Sequence, residues 1–188
     1  MGSLDVDAVA AIDSTGQAED MLDLAVHLRD ALWRVDSASI GAIDAPGGLI
    51  VAGMGGSAIG GRLAAGAIGA RARRPIVVAD NYALPGWAGP ETLVLCSSYS
   101  GATEETLSAY DDAAERGAQR VVATTGGALA DRARRDDAPV IPIPSGFQPR
   151  AAVGYSLVAA LEAAAVCGAA PSLRAEIEAA ADLAERLA

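Results

Sequence analysis

The sequence predicts an α/β fold: three layers, α/β/α, around a five-stranded parallel sheet of order 2-1-3-4-5. Two observations carry the prediction. Five short, continuous apolar runs recur along the chain, each stopped by Gly, Ser, Asp or Pro, as strands buried on both faces require. Between most of them lie stretches rich in Ala, Leu, Glu and Arg, and strands alternating with helices give a parallel sheet with right-handed crossovers.

In chain order, residues 18–35 place Met21, Leu22, Leu24, Ala25, Leu28, Leu32 and Val35 at near-helical spacing with acidic residues in the first turn, which predicts one amphipathic helix. The strands are then expected at GLIVAG (48–53), PIVVA (75–79), TLVLCSS (92–98), RVVATT (120–125) and PVIPI (139–143). The link from the second strand to the third is a loop with Pro85, Gly86 and Pro90, not a helix. Residues 151–168 and 171–188 read as two further helices, the second opened by Pro171 and Ser172 as turn and cap. That last helix meets the chain end at Ala188 with no Gly, Pro or polar stop, which predicts a chain that continues elsewhere. The expected organisation is one domain over 1–170, with 171–188 leading into a second domain and an apolar helix face there lacking its partner.

Composition narrows the function. Of 188 residues, 52% are hydrophobic and 20% charged, which excludes disorder, and no apolar run approaches the ~18 residues of a membrane span. Met1–Ala10 has two Asp and no basic residue, unlike a signal peptide, so a cytoplasmic protein is expected, with no membrane partner. A net charge of −10 disfavours nucleic acid, whose phosphates call for Lys and Arg. All 14 basic residues are Arg, which removes Schiff-base and lysine acid–base chemistry. Cys96 and Cys167 lack metal-ligand spacing and read as small core residues. His27, the single histidine, reads as structural or surface; Trp33, Trp87, Tyr82 and Tyr110 are too scattered for a stacking platform. The pairs Asp111-Asp112 and Asp136-Asp137 read as solvated faces. None of these residues suggests a metal site.

Three segments carry chemistry. Gly53-Met54-Gly55-Gly56-Ser57-Ala58-Ile59-Gly60-Gly61 follows the first strand; its glycines let the backbone approach a ligand, and the next helix offers its positive end to an anion. Alone it fits a dinucleotide, with Asp80 as the ribose acid, or another phosphate, or a tight structural turn. Ser97-Ser98-Tyr99-Ser100-Gly101-Ala102-Thr103 follows the third strand, a neutral donor set for a phosphate dianion that needs no lysine. Its plain alternative is helix capping by Ser100 or Thr103. Because ligands of a 2-1-3-4-5 sheet sit at the carboxyl ends of strands one and three, both loops fall at one place, and a dinucleotide alone does not explain the second. Ser145-Gly146-Phe147-Gln148-Pro149-Arg150 precedes a helix, where a cation opposes the helix dipole; Arg150 is there for an anion or is an exposed arginine with a solvated head.

Together GMGGSAIGG, SSYSGATEET, TTGG (124–127) and PIPSGFQPRAAVGY resemble the sugar isomerase (SIS) domain, most closely the N-terminal domain of the bifunctional phosphoglucose/phosphomannose isomerases, over roughly residues 18–170. The resemblance implies a flavodoxin-like five-stranded sheet, two such domains per chain and a homodimer. It implies that Ser98, Ser100 and Thr103 hold a sugar phosphate, that Gly55, Gly56 and Ser57 lie against the sugar, and that Arg150 stabilises an enediolate. The reaction implied is interconversion of glucose 6-phosphate or mannose 6-phosphate with fructose 6-phosphate, which calls for no metal or other cofactor. It also implies that a glutamate base, a ring-opening histidine and a lysine lie beyond Ala188, so this chain alone is expected to be weakly active or inactive. A phosphosugar-sensing module with the same loops is the non-enzymatic alternative, and an NAD-binding oxidoreductase domain a third.

Overall fold

A computed structural model describes residues 6–188; residues 1–5 of the domain predicted over 1–170 lie outside the described residues. The five strands are β1 (Gly48–Ala52), β2 (Ile76–Ala79), β3 (Thr92–Ser98), β4 (Gln119–Thr124) and β5 (Val140–Pro142). All pair in parallel in the order β2-β1-β3-β4-β5. Every residue of β1 and β3 is buried, as their uninterrupted apolar sequences require. The edge strand β5 is short and contains Pro142, which is tolerated there because an edge leaves one side of the backbone unpaired.

Alternation along the strands splits the core into two layers. Leu49, Val51, Leu93, Leu95, Val121 and Ile141 face a helix layer made of α3 (Leu24–Ser37), α4 (Gly55–Ile68), α7 (Val153–Val166) and α8 (Arg174–Leu187). Ile50, Ala52, Val94, Cys96 and Val122 face Tyr110 of α5 (Glu104–Glu115) and Leu129 of α6 (Gly127–Arg135). The alanine-rich α7 buries Ala159, Ala160, Ala163 and Ala164, side chains small enough for close helix packing. A Cβ on Gly60 would lie 2.3 Å from Ser156 Oγ, so α4 and α7 meet almost backbone to backbone.

Several elements differ from the sequence reading. A short helix, α1 (Val6–Ile12), was not foreseen. The expected helix over 18–35 is two, α2 (Gln17–Leu22) and α3, separated at Asp23. The core stripe starts only with α3, through Ala25, Leu28, Leu32 and Val35, while Met21 and Leu22 are exposed. With no buried residue, α2 lies outside that stripe. The N-cap position of α8 is Leu173, one residue after Ser172, whose hydroxyl accepts the Arg174 N–H at 3.5 Å. Nor is the apolar face of α8 unpartnered: it packs on α3, burying Ile177 and Ala181. Arg174 donates to Asp36 and to the buried Glu162, and Arg29 pairs with Asp182 and Glu185.

Candidate functional site

β1 and β3 are hydrogen-bonded neighbours, and Ala52 stands opposite Cys96, so the glycine loop and the serine loop leave the sheet side by side. A Cβ on Gly53 would come within 2.7 Å of the Ser97 carbonyl oxygen; only glycine lets these strand ends approach so closely. Gly55 and Gly56 open α4, whose N-cap Met54 provides no side-chain cap. A Cβ on Gly56 would lie 3.0 Å from the Pro149 carbonyl oxygen, so the loop carrying Arg150 lies directly on the glycine loop. Ser156 Oγ adds a hydrogen bond to the Gly56 carbonyl at 3.4 Å.

In the serine loop, Ser98 is buried and its hydroxyl lies 2.8 Å from Thr103 Oγ1 while accepting the Gly101 N–H at 3.1 Å. Thr103 is the N-cap of α5 but makes no capping bond through its side chain. The capping alternative therefore leaves the Thr103 hydroxyl unexplained. If Ser98 donates to Thr103, the Thr103 proton is left to point outward. The exposed Ser100 accepts the Ala102 N–H at 3.2 Å. Glu104 and Glu105 act on Tyr82, whose phenol their charges push upward in pKa, Glu105 foremost. The TTGG segment closes over the serine loop: Leu129 N–H donates to the Gly101 carbonyl at 2.9 Å, and Thr125 donates to the Tyr99 carbonyl from both its N–H and its hydroxyl.

Arg150 lies in the turn just before α7, whose N-cap is Ala152, and it is exposed. Most arginines of the chain are tied to carboxylates, as Arg174 and Arg29 are; the Arg150 guanidinium has no hydrogen-bond or carboxylate partner among the described residues. It lines a cleft of about 360 Å³ with Gln17, Asp20, Met21 and Leu24. No spacing along the chain signals that α2 lines a cleft with Arg150. Tyr99, inside the serine motif, was also missed as a contact between loops: its hydroxyl accepts the Phe147 N–H at 2.9 Å. Strand parity was the available signal, since Tyr99 follows Leu93, Leu95 and Ser97 onto the face where α7 packs.

The remaining candidates fall outside this cluster. Asp80, the carboxylate a dinucleotide ribose would need, is hydrogen-bonded to Arg62. His27 is buried against the rings of Phe147 (4.7 Å between centroids) and Tyr155 (5.5 Å), a structural role. Cys96 and Cys167 are buried and free, and burial pushes the Cys96 thiol up to about 12. The aspartate pairs are more than solvated faces. Asp112 accepts Arg116 Nε at 2.7 Å and the Leu84 N–H at 3.0 Å, and Asp136 accepts from Arg120 and Tyr110. Among the described residues no His, Cys, Asp and Glu cluster could hold a metal ion, and no helix is long and apolar enough to cross a membrane.

No protein-family model matches the chain. Among characterised proteins, it is 50% identical over 110 residues to a bifunctional phosphoglucose/phosphomannose isomerase of Caldicellulosiruptor bescii, a stretch covering 58% of this chain and 32% of that protein. The same-named protein of Aquifex aeolicus is 40% identical over 111 residues, 58% of this chain and 35% of that one. The matched stretch is thus about a third of the length of these relatives. Among solved structures, tagatose-6-phosphate ketose/aldose isomerase from Escherichia coli superposes with a TM-score of 0.63 at 16% identity, covering 94% of this chain and 55% of that one. A phosphoheptose isomerase from Francisella tularensis does so with 0.56 at 18% identity, covering 89% of this chain and all of that one. The chain therefore has the sugar isomerase (SIS) fold, with a sequence similar, over the matched stretch, to the bifunctional phosphoglucose/phosphomannose isomerases.

Proposed function

We propose that this chain is the phosphosugar-binding domain of an aldose–ketose isomerase that interconverts glucose 6-phosphate or mannose 6-phosphate with fructose 6-phosphate. One observation carries the reading. Among the described residues the Arg150 guanidinium has no hydrogen-bond or carboxylate partner, and Arg150 stands on a loop that touches both the glycine loop and the serine loop. A cation carried on a loop that touches two anion-suited loops suits a substrate with two negative centres: a phosphate at one end and a developing enediolate at the other.

In this reading Ser100 and Thr103 hydroxyls and the first N–H groups of α5 receive the phosphate, with Ser98 fixing Thr103 from below. Gly55, Gly56 and Ser57 present backbone to the sugar. Arg150 stabilises the charge that develops on the oxygens of C1 and C2 as the proton moves, an interaction stronger in the transition state than in the ground state. The proton itself needs a positioned base, and Glu104 and Glu105, in the first turn of α5 beside the proposed phosphate loop, are poorly placed for the carbon. The base then lies outside these 188 residues, consistent with relatives far longer than the matched stretch. A homodimer in the cytoplasm belongs to the same proposal.

Titration calorimetry with fructose 6-phosphate tests the reading. Wild type gives heat of binding, NAD gives none, and Ser100→Ala combined with Thr103→Val weakens binding by about 1–3 kcal/mol, the scale of lost bonds to a charged partner. A coupled isomerase assay on the same chain gives negligible turnover. Unchanged affinity in the double variant removes the phosphate assignment, and robust turnover shows that the chain supplies its own base.

A further inference from the structure

We infer that Tyr99 is a positioning residue, whose hydroxyl sets where Arg150 stands relative to the phosphate loop; the inference rests on the phosphosugar reading above. Tyr99 lies between Ser98 and Ser100, so its backbone belongs to the serine loop. Its carbonyl oxygen is held by Thr125, through the N–H at 3.1 Å and the hydroxyl at 2.8 Å, which fixes the residue against the TTGG segment. Its side chain crosses to the other loop, where the phenol oxygen accepts the Phe147 N–H at 2.9 Å.

The loop it meets has few other constraints. At its start the Ile143 N–H donates to the Thr124 carbonyl at 2.8 Å, and at its end the Ala151 N–H closes a turn on the Gln148 carbonyl at 2.8 Å. Between Pro144 and Arg150, among the described residues, the Tyr99 hydroxyl is the hydrogen-bonding group that ties this loop to another part of the fold. From below, the Phe147 ring rests on His27 and Tyr155, and Tyr155 is itself anchored by donating to Asp30 at 2.9 Å. Those ring contacts are non-directional, whereas a hydrogen bond has a preferred distance and angle and so fixes the Phe147 backbone in place.

The chemistry makes this placement matter. Phosphate and enediolate are on one substrate, so the span between the serine loop and Arg150 must match a fixed molecular length. A misplacement of about 1 Å in such a constellation costs on the order of 100-fold in rate. Phosphate alone does not sense that span. A ligand carrying both anions does.

The test uses two ligands of the 188-residue chain: inorganic phosphate, and the hydroxamate of 5-phosphoarabinonic acid, which joins a phosphate to an anionic enediolate mimic. In Tyr99→Phe, phosphate affinity stays within about twofold while hydroxamate affinity falls at least about tenfold, and amide exchange at Phe147 accelerates. Arg150→Ala lowers hydroxamate affinity similarly, and the double variant falls little further, because both changes break one interaction. A fold defect in Tyr99→Phe would weaken both ligands together, so their ratio separates positioning from stability. If wild type binds both ligands and Tyr99→Phe keeps the wild-type ratio, the inference is wrong and the phosphosugar reading stands. If wild type binds neither, the phosphosugar reading fails and takes the inference with it.

Discussion

Gly101 sits in the left-handed region at φ 66°, and a Cβ there would lie 1.8 Å from the Gly126 carbonyl oxygen. The obstacle is backbone, which cannot rotate aside, so the serine loop and the TTGG segment can nest only if this position has no side chain. Gly101→Ala is expected to cost at least about 2 kcal/mol, from the left-handed conformation plus the clash. Gly66→Ala is the control: it lies inside α4 with nothing within 4 Å of a new Cβ, and it should stabilise by about 0.5–1 kcal/mol. Chemical denaturation of both variants reads the two signs. At this scale, what the sequence disclosed followed chemistry local to a motif. The glycine and hydroxyl runs stand out as a candidate anion site because the residues that would form it are neighbours in the chain. Tyr99 and Asp20 were illegible because their partners, Phe147 and the Arg150 cleft, are remote along the chain.

Strands were easy to read because a strand buried on both faces is continuously apolar and ends abruptly, as TLVLCSS does over the whole of β3. The N-terminal helices were harder. Apolar spacing runs through Asp23 unbroken, and only tertiary burial, which starts with α3, reveals the joint. The mode of docking of α8 was equally hidden, since its arginine latch reaches Asp36, 138 positions back along the chain, as well as Glu162, 12 positions back. Arg174 binds Asp36 of α3 and Glu162 of α7, and the Glu162 side chain is only 6% exposed. Removing the cation leaves a buried carboxylate uncompensated; with Arg174 itself partly solvated, Arg174→Met is expected to cost about 2 kcal/mol, less than a fully buried pair. Changing Glu162→Gln in the same chain should recover much of that loss. Denaturant melts of the single and double variants, with amide exchange of α8, check it; equal losses in both would remove the latch.

Across the whole molecule, acidity and arginine work as a system. Asp112 is held below the ordinary carboxylate range first by the Arg116 hydrogen bond and then by the Leu84 N–H, Asp36 by Arg174, and Asp136 by Arg120 and then Tyr110. A carboxyl with a lowered pKa in the fold binds protons more tightly when unfolded. Its stabilisation is therefore complete above the unfolded value near 4 and lost as pH falls through the lower folded value. This carboxylate contribution should be flat from about pH 8 to 5 and decline below about pH 4. Asp112→Asn should be less stable than wild type by about 1 kcal/mol at pH 7, with the gap closing near pH 2. Thermal melts over that range decide it, and a constant gap would refute the linkage.

The fifth strand has a consequence for how this molecule meets others. Pro139 and Ile143 turn their backbones inward, where the Pro139 carbonyl accepts from Val122 and the Ile143 N–H donates to Thr124. By alternation, positions 140, 142 and 144 face away from the sheet, and two of these are prolines without an N–H. Only Val140 is left with an outward donor. A foreign strand laid along this border would find almost no ladder to extend, so the sheet cannot grow there, and assembly on that side must go through side chains.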